Sequence, residues 1–599
     1  MFVERLKDLP DSLGDFVPDR VTGEADGWAG VPQRDRMRLL EAGEAALARP
    51  WPVLLASGYR QYCTAGDRAA FEALYFDRRL KLNDLVLAEK VEGQGRFLDA
   101  IIDGIFLICE ESGWQLPAHN AYERGGTRLP LPDPFDPVVD LFAAETAATL
   151  VTAHHLLSEP LGKVSPAVGR RVHAEVERRI LTPYLNRHFW WMGRGGERMN
   201  NWTAWITQNV LLATFALPTS QEQRRAVLDK ALPGLDAFLK DYAPDGACEE
   251  GVVYYRHAAL CLCGAMTVLD QVAPGLMAPL WREPKIRNMA DYILHMYVAG
   301  DYYVNFADSA ARVDPCGARE YLFGRAVGSQ ALSNFAAAGF KRPPARLMPG
   351  EWNLWYRLQA VLLAREIDEV EPEPEPAGKS DMFYPGIGLF IARDDRFVLA
   401  VKAGNNGESH NHNDVGSVTL YKNGVPLLID AGVETYTAKT FSPRRYEIWT
   451  MQSAYHNLPS FAGVAQSCGA GFAARDVAVS FAAGEAHISM DIAGAYPPEA
   501  GLNAYRRLVT LRRGACVEIQ DEHDGEKAAT LSLMLMVKPQ LIPQGLRLEG
   551  LADIHLCGGG TPVIEPIVIA DPRLRQSWPE LLYRVLVPLA GPVLTLRIF

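Results

Sequence analysis

The chain has 599 residues, 48% of them hydrophobic and 22% charged, a composition typical of folded proteins with two or three domains. Its formal net charge of -12 argues against nucleic-acid binding and against general attachment to anionic membranes, although it leaves room for a local basic cleft. Nine cysteines, odd in number and without paired spacing, read as reduced thiols rather than a disulfide framework.

The first sixteen residues, MFVERLKDLPDSLGDF, carry Glu4, Arg5, Lys7 and Asp8 and lack the apolar core of a signal peptide. No uninterrupted apolar run has the length of a bilayer span, so a cytoplasmic location is the expectation. Residues 1–365 are expected to form a helical domain, because FDPVVDLFAAETAATLVTAHHLL, VGRRVHAEVERRILTPYL, WTAWITQNVLLATFAL and RRAVLDKALPGLDAFLKDY repeat their apolar residues with the helical period. Short Gly, Pro and Asp turns between them suggest a helical array or toroid. The alternating Glu and Pro of EIDEVEPEPEP favour an extended, solvated connector, placed at 366–380. Over 381–599 the texture changes to short runs such as GIGLFIA, RFVLAVKA, SVTLYK, AHISMDI, YRRLVTLRR, ACVEIQDEH and TLSLMLMV, the pattern of an antiparallel β-sandwich.

Three segments of the helical half could carry chemistry. Asn200 and Asn201 stand at a helix start, where an Asn can simply cap the backbone. Flanked by Trp202 and Trp205, they also offer amide donors beside aromatic faces, suited to a sugar carboxylate. In DGACEEGVVYYRH, Glu250 and Tyr254 are four apart, so a helix would place them on one face with Tyr255 about 100° further round. Tyr254 is therefore the expected functional phenol, oriented by Glu250. In YYVNFADSAAR, Asn305 and Arg312 could line a saccharide cleft or belong to a capped helix start.

In the β half the string His410-Asn411-His412-Asn413-Asp414 is the densest cluster of chemistry-bearing residues. An extended backbone would direct His410 and His412 to one face. Residues 415–422 and 425–429 read as two strands joined by Asn423-Gly424, a dipeptide suited to a two-residue turn with positive φ at both positions. Such a turn pairs Lys422 with Val425 and puts Asp430 opposite Ser417, bringing a carboxylate back towards the histidines. With His456 of SAYHN, His412 and Asp430 make a His/Asp/His set of the mixed nitrogen and oxygen kind that zinc accepts.

Taken together, NNW, DGACEEGVVYY, SHNHNDVGSVTLYKNGVPLLIDAG and SAYHN resemble the heparinase II/III-like polysaccharide lyases, including the related alginate and oligoalginate lyases. The resemblance implies a multidomain α + β fold, an incomplete (α/α) toroid followed by an antiparallel β-sandwich. It implies that Asn201, assisted by Asn200, neutralises the substrate carboxylate, that Tyr254 acts on the leaving oxygen, and that His410 is the catalytic histidine. It likewise assigns His412, Asp430 and His456 to Zn2+, as an organiser of the site more than a Lewis acid. Trp202, Trp205, Glu250, Tyr255, Asn305 and Arg312 remain candidate substrate contacts. Two departures stand out: several relatives have histidine where this chain has Trp202, and some use the tyrosine aligned with Tyr255.

The implied reaction is β-elimination at a 4-linked uronic acid of a glycan such as heparin, heparan sulfate or alginate. The C5 proton is removed, the C4 oxygen is expelled, and an unsaturated uronate results. The expected partner is an acidic oligo- or polysaccharide, with no nucleic acid and no membrane, and a homo-oligomer is left open. Two other readings compete. A glycoside hydrolase would use Glu249, Glu250 or Asp308 as paired carboxylates, and a non-catalytic protein would only bind acidic sugars.

Overall fold

The computed structural model describes residues 1–21, 27–193, 196–371 and 380–599. Among these residues every α-helix falls between Gln33 and Glu369. Apart from the short pair Tyr297–Ala299 and Tyr302–Tyr303, every strand follows Met382. The fold is that of a helical toroid followed by an antiparallel β-sandwich, as the change of period along the chain implies. Two compact units result, one made of Met1–Tyr242, Arg256–Ala290 and Asp314–Pro376, the other of Ala243–Tyr255, Asp291–Val313 and Ala377–Phe599. The second unit thus includes two segments, 243–255 and 291–313, that the sequence reading left in the helical region.

In the first unit, two helices are buried almost all round. Leu141–Leu156 buries every residue from Leu141 to Ala153, and Asn201–Ala216, packed against it, leaves only Trp202 and Ala216 outside the buried set. A helix without a polar face belongs in the interior. Each is capped by a side chain, Asp140 accepting from the Ala143 N–H at 2.7 Å and Asn200 from the Trp202 N–H at 3.1 Å. Asn200 is therefore the cap, and Asn201 the first helical residue. The run VGRRVHAEVERRILTPYL is helical, as its period implies: Ala167–Val176, a π-helical stretch Glu177–Leu181 and Thr182–Asn186 follow one another without a break.

The expected connector begins later than 366. Ala364–Glu369 is a helix, and the Glu366 carboxylate accepts from the Tyr321 hydroxyl at 2.9 Å, so this glutamate is tied down rather than solvated. Most of the remaining connector, 372–379, lies outside the described residues. The helix Val252–Val272 is by length and apolarity alone able to cross a membrane, but most of it is buried inside the protein. It is a core helix.

In the second unit, two large antiparallel sheets enclose one core. One contains Glu485–Asp491, Tyr505–Arg512, Cys516–His523 and Val593–Ile598; the other contains Leu389–Arg393, Phe397–Lys402, Val418–Lys422, Val425–Leu428 and Ala529–Leu535. Phe390, Leu399, Leu420 and Leu533 from one sheet share a cluster with Ile488, Val509, Val517 and Leu596 from the other. Fully burying each such side chain contributes about 1.5–3 kcal/mol, which anchors the strands that carry the loops described next.

The Asn423-Gly424 turn has φ of 51° and 77°, and Lys422 pairs with Val425, as the dipeptide predicts. The register then slips. Tyr421 faces Pro426 but Leu420 faces Leu428, so Leu427 is an extra residue and the bulge moves every later residue of the second strand by one. Continued regularly, the pairing would set Asp430 against Val418, not Ser417. Beyond the bulge Asn457 takes over from the ladder, its Nδ2 donating to Val418 O at 2.7 Å and to Ile429 O at 3.1 Å.

Candidate active site

Asp308 is the hub of the polar cluster in the second unit. It lies in a turn after Phe306, preceded by Ala307 with φ of 53°, a left-handed value that a residue other than glycine adopts only when its surroundings enforce it. Gly251 packs against this turn. A Cβ there would meet Ser309 Cβ at 2.6 Å and Phe306 O at 2.9 Å, so the close approach requires glycine.

Five groups converge on the fully buried Asp308. His410 Nδ1 is 2.7 Å from Oδ2, His412 Nε2 is 3.2 Å from Oδ1, Arg445 Nη2 donates to Oδ1 at 2.6 Å, and the Tyr436 hydroxyl donates to Oδ2 at 3.1 Å. Arg573 Nη2 adds a contact of 3.3 Å to the Asp308 carbonyl. Burial alone would raise the Asp308 carboxyl, but the bonds from His410 and His412 and the Arg445 charge hold it well below the ordinary carboxylate range.

His410 has φ of 57°, so the HNHND string is not extended at this point. Strand Val418–Lys422 begins only after it. The two imidazoles do converge, through a left-handed kink and a shared carboxylate rather than through strand alternation. Arg445 fixes the kink by donating to His410 O at 2.9 Å and Asn411 O at 3.0 Å. With Nδ1 engaged by Asp308, the remaining nitrogen of His410 is Nε2, 4.0 Å from Glu250 Oε2. Burial works to lower the imidazole, whereas the Glu250 charge and the Asp308 bond reverse this and raise it above its ordinary value.

Tyr254 stands beside this pair, its ring 4.5 Å from that of His410 and its hydroxyl 2.5 Å from that of Tyr436. Burial pushes its phenol up, the Arg573 charge working against that, so Tyr254 rests as a phenol. Tyr255 points elsewhere: it is fully buried and packs 6.2 Å from the Tyr292 ring. Glu250 does not share a helix face with Tyr254, because the helix starts at Val252 and residues 249–250 form the turn before it. Its carboxylate instead accepts from Ser409 Oγ at 2.9 Å.

His412, Asp430 and His456 form a compact triad whose ligand atoms lie within 4.8 Å of one another. The Nδ1 atom of His412 is buried and makes no hydrogen bond with any described residue, while that of His456 faces Asp430. Their other nitrogens are oriented, His412 Nε2 by Asp308 and His456 Nε2 by Thr450 O at 3.2 Å. Gly432 N donates to Asp430 Oδ1 at 2.7 Å, and His456 Nδ1 is 3.3 Å from Asp430 Oδ2. An orphaned imidazole nitrogen on His412, together with the Nδ1 of His456 and a carboxylate oxygen of Asp430 within 4.8 Å, each backed by a second group, fits a metal ion.

The remaining candidates sit differently. Asn305 is buried and donates to the Asp430 backbone carbonyl at 3.1 Å, so it holds the main chain that carries the triad's aspartate rather than lining a cleft. Arg312 is exposed and pairs with Asp301 at 3.1 Å. In the first unit, Asn201 is buried with its Oδ1 making no hydrogen bond to a described residue. Trp202 is half-buried between His119 and Trp190, at 4.7 and 5.1 Å. Trp205 is a core residue, stacked 4.1 Å from His257, with its indole N–H donating to Glu145 at 2.7 Å. It is not a sugar platform.

Sequence reading missed Asp308 as the hub, as well as Tyr436, Arg445 and Arg573. Asp308 came to notice only within the YYVNFADSAAR stretch and as a hydrolase carboxylate. The other three lie in turn-rich segments without periodicity, and no local pattern marks them.

Residues 376–557 match the family described as "Heparinase II/III-like, C-terminal". No curated protein matches in sequence. Among solved structures, heparan sulfate lyase HepC from Pedobacter heparinus is 15% identical, with 100% of this chain and 87% of that chain covered and a TM-score of 0.55. Heparinase III is 13% identical over 96% of this chain and 93% of that chain, with a TM-score of 0.58. Chondroitin AC lyase from Streptomyces coelicolor A3, in complex with chondroitin sulphate, is 13% identical over 96% and 82%, with a TM-score of 0.50. At these identities the likeness is one of fold.

Proposed function

We propose that this chain, whose residues 376–557 match the heparinase II/III-like C-terminal family, is a polysaccharide lyase that cleaves 4-linked uronic-acid glycans by β-elimination. The observation that carries the reading is the pairing of a phenol and an imidazole in one cluster, with Tyr254 protonated and His410 holding Asp308 on Nδ1, which leaves Nε2 to act. Elimination needs one base and one acid. His410 Nε2 takes the C5 proton, the electron pair forms the C4–C5 double bond, and Tyr254 gives its proton to the departing C4 oxygen. Asp308 and Glu250 stabilise the imidazolium that forms, as opposite charges close to a buried cation do. Asn201 is assigned to neutralising the uronate carboxylate on the family resemblance.

The substrate class follows the relatives: heparan sulfate and chondroitin sulphate are the leading glycosaminoglycans to test, with alginate as a further uronate polymer. We assign the triad His412, Asp430 and His456 to zinc, on the mixed nitrogen and oxygen donors. When bound it would supply a fixed positive charge that organises the loop around His410. Removal of the metal with a chelator should lower the melting temperature and the activity together. A chain indifferent to chelation in both respects would be evidence against the assignment.

The test of function is a panel of uronic-acid polymers and oligomers followed by ultraviolet absorbance. A lyase product absorbs through its conjugated double bond, and at least one polymer should yield it. Hydrolysis without absorbance would favour the paired carboxylates instead.

A further inference from the structure

Tyr436 has no role in any assignment above, yet its hydroxyl contacts both Asp308 and Tyr254. Asp308 is ion-paired with the Arg445 guanidinium at 2.6 Å, and a carboxylate so paired can only accept. The Tyr436 hydroxyl, 3.1 Å from Asp308 Oδ2, must therefore be the donor in that contact. Tyr436 has one proton, so in its contact with Tyr254 it accepts, and the Tyr254 proton points at Tyr436. Resting Tyr254 is thus hydrogen-bonded in the wrong direction for a phenol about to lose its proton.

We propose that Tyr436 is a positioning residue for the acid step, a donor that switches from Asp308 to the Tyr254 oxygen as Tyr254 gives up its proton. The proposal rests on the lyase reading. In that step the C5–H bond breaks with its proton going to His410 Nε2, its electrons form the C4–C5 double bond, and the C4–O4 bond breaks. The Tyr254 O–H proton passes to O4, and the Tyr436 O–H turns to the resulting phenolate. Return of one proton from His410 to Tyr254 resets the site.

Three observations make the switch affordable. Asp308 keeps donors from His410, His412 and Arg445 when Tyr436 turns away, so no buried carboxylate is stranded. The Tyr436 oxygen is already in place, needing only rotation of its proton. The Arg573 guanidinium lies 4.4 Å from the centroid of the neighbouring Tyr436 ring, and its charge favours the Tyr254 phenolate as it forms. Arg573 is itself held: the Asp571 carboxylate accepts from its backbone N–H at 3.0 Å and from Thr435 N, next to Tyr436, at 3.1 Å, and its Nη2 donates to Asp308 O at 3.3 Å.

The test compares wild type with Tyr436→Phe, which removes one oxygen and keeps the ring packed 5.0 Å from Phe441. Two substrates are used: the natural polymer and a uronate bearing a nitrophenoxide at C4, a leaving group that needs no proton. On the polymer, loss of a hydrogen bond to a charged oxygen should lower kcat about 10- to 100-fold with KM within about twofold. On the aryl substrate the variant should stay within about threefold of wild type. Equal losses on both substrates, or no loss on the polymer, would overturn the role of Tyr436. A wild-type protein that forms no unsaturated product from any uronate would overturn the lyase reading itself. Should the phenylalanine variant not fold, 3-fluorotyrosine at 436 serves: a more acidic donor should raise kcat on the polymer alone, and an unchanged kcat would refute the switch.

Discussion

Adjacent tyrosines make the sharpest contrast at the scale of single residues. Tyr254 stacks beside His410 and bonds Tyr436, whereas Tyr255 is sealed against Tyr292. Tyr254→Phe should lower kcat by about 10²- to 10⁴-fold, the usual worth of a proton-transfer group, with an unchanged melting temperature. Tyr255→Phe should leave kcat close to wild type. Steady-state kinetics and thermal melts on the two variants decide it; the reverse pattern would move the acid to Tyr255. This choice was open in the sequence, since neighbouring side chains lie about 100° apart on a helix and no local signal says which of the two faces the site. Asp308 was harder still. Its role depends on four partners between 100 and 140 residues away, and only a strained Ala307 beside it, visible in the backbone, marks the position.

At the scale of elements, the Asn423-Gly424 turn shows both the reach and the limit of local rules. Positive φ and the Lys422–Val425 pair follow from the dipeptide, yet the bulge at Leu427 does not, because it answers to Asn457 and packing far away in sequence. Gly424 has φ of 77°, and a Cβ there would meet Ala299 Cβ at 2.8 Å. Gly424→Val should therefore cost about 1–3 kcal/mol by denaturant melt and weaken metal binding by displacing Asp430. Full stability with unaltered metal content would show that the hairpin does not position the triad. In the toroid, Glu145 accepts from Trp205 at 2.7 Å and from Trp352 at 2.6 Å, but burial, with the Glu351 charge added, raises its carboxyl to about 8. The folded chain then keeps a proton that the unfolded chain releases near 4.5, so stability from this group is greatest below that pH and is lost as pH rises through about 8. Replacing Glu145 with Gln should flatten the fall in melting temperature across that window, and an unchanged slope would count against the shift.

At the scale of the whole molecule, the division into helical and β-rich parts was legible because the two periods, 3.6 and 2, leave different sequence textures. The strings SHNHND and SAYHN were legible as a site because histidine, amide and carboxylate groups rarely crowd together in a core. Neither kind of signal could show that 243–255 and 291–313 join the β-rich unit, since that membership rests on long-range packing. It is this membership that brings Tyr254, Glu250 and Asp308 into one unit with His410, and the proposed elimination depends on it. The most direct measurement is mass spectrometry of the products from a defined uronate oligosaccharide that the protein cuts. Elimination predicts a new non-reducing end lighter by one water than the hydrolysis product, together with ultraviolet absorbance. A product carrying the full mass of added water, without absorbance, would contradict the lyase account.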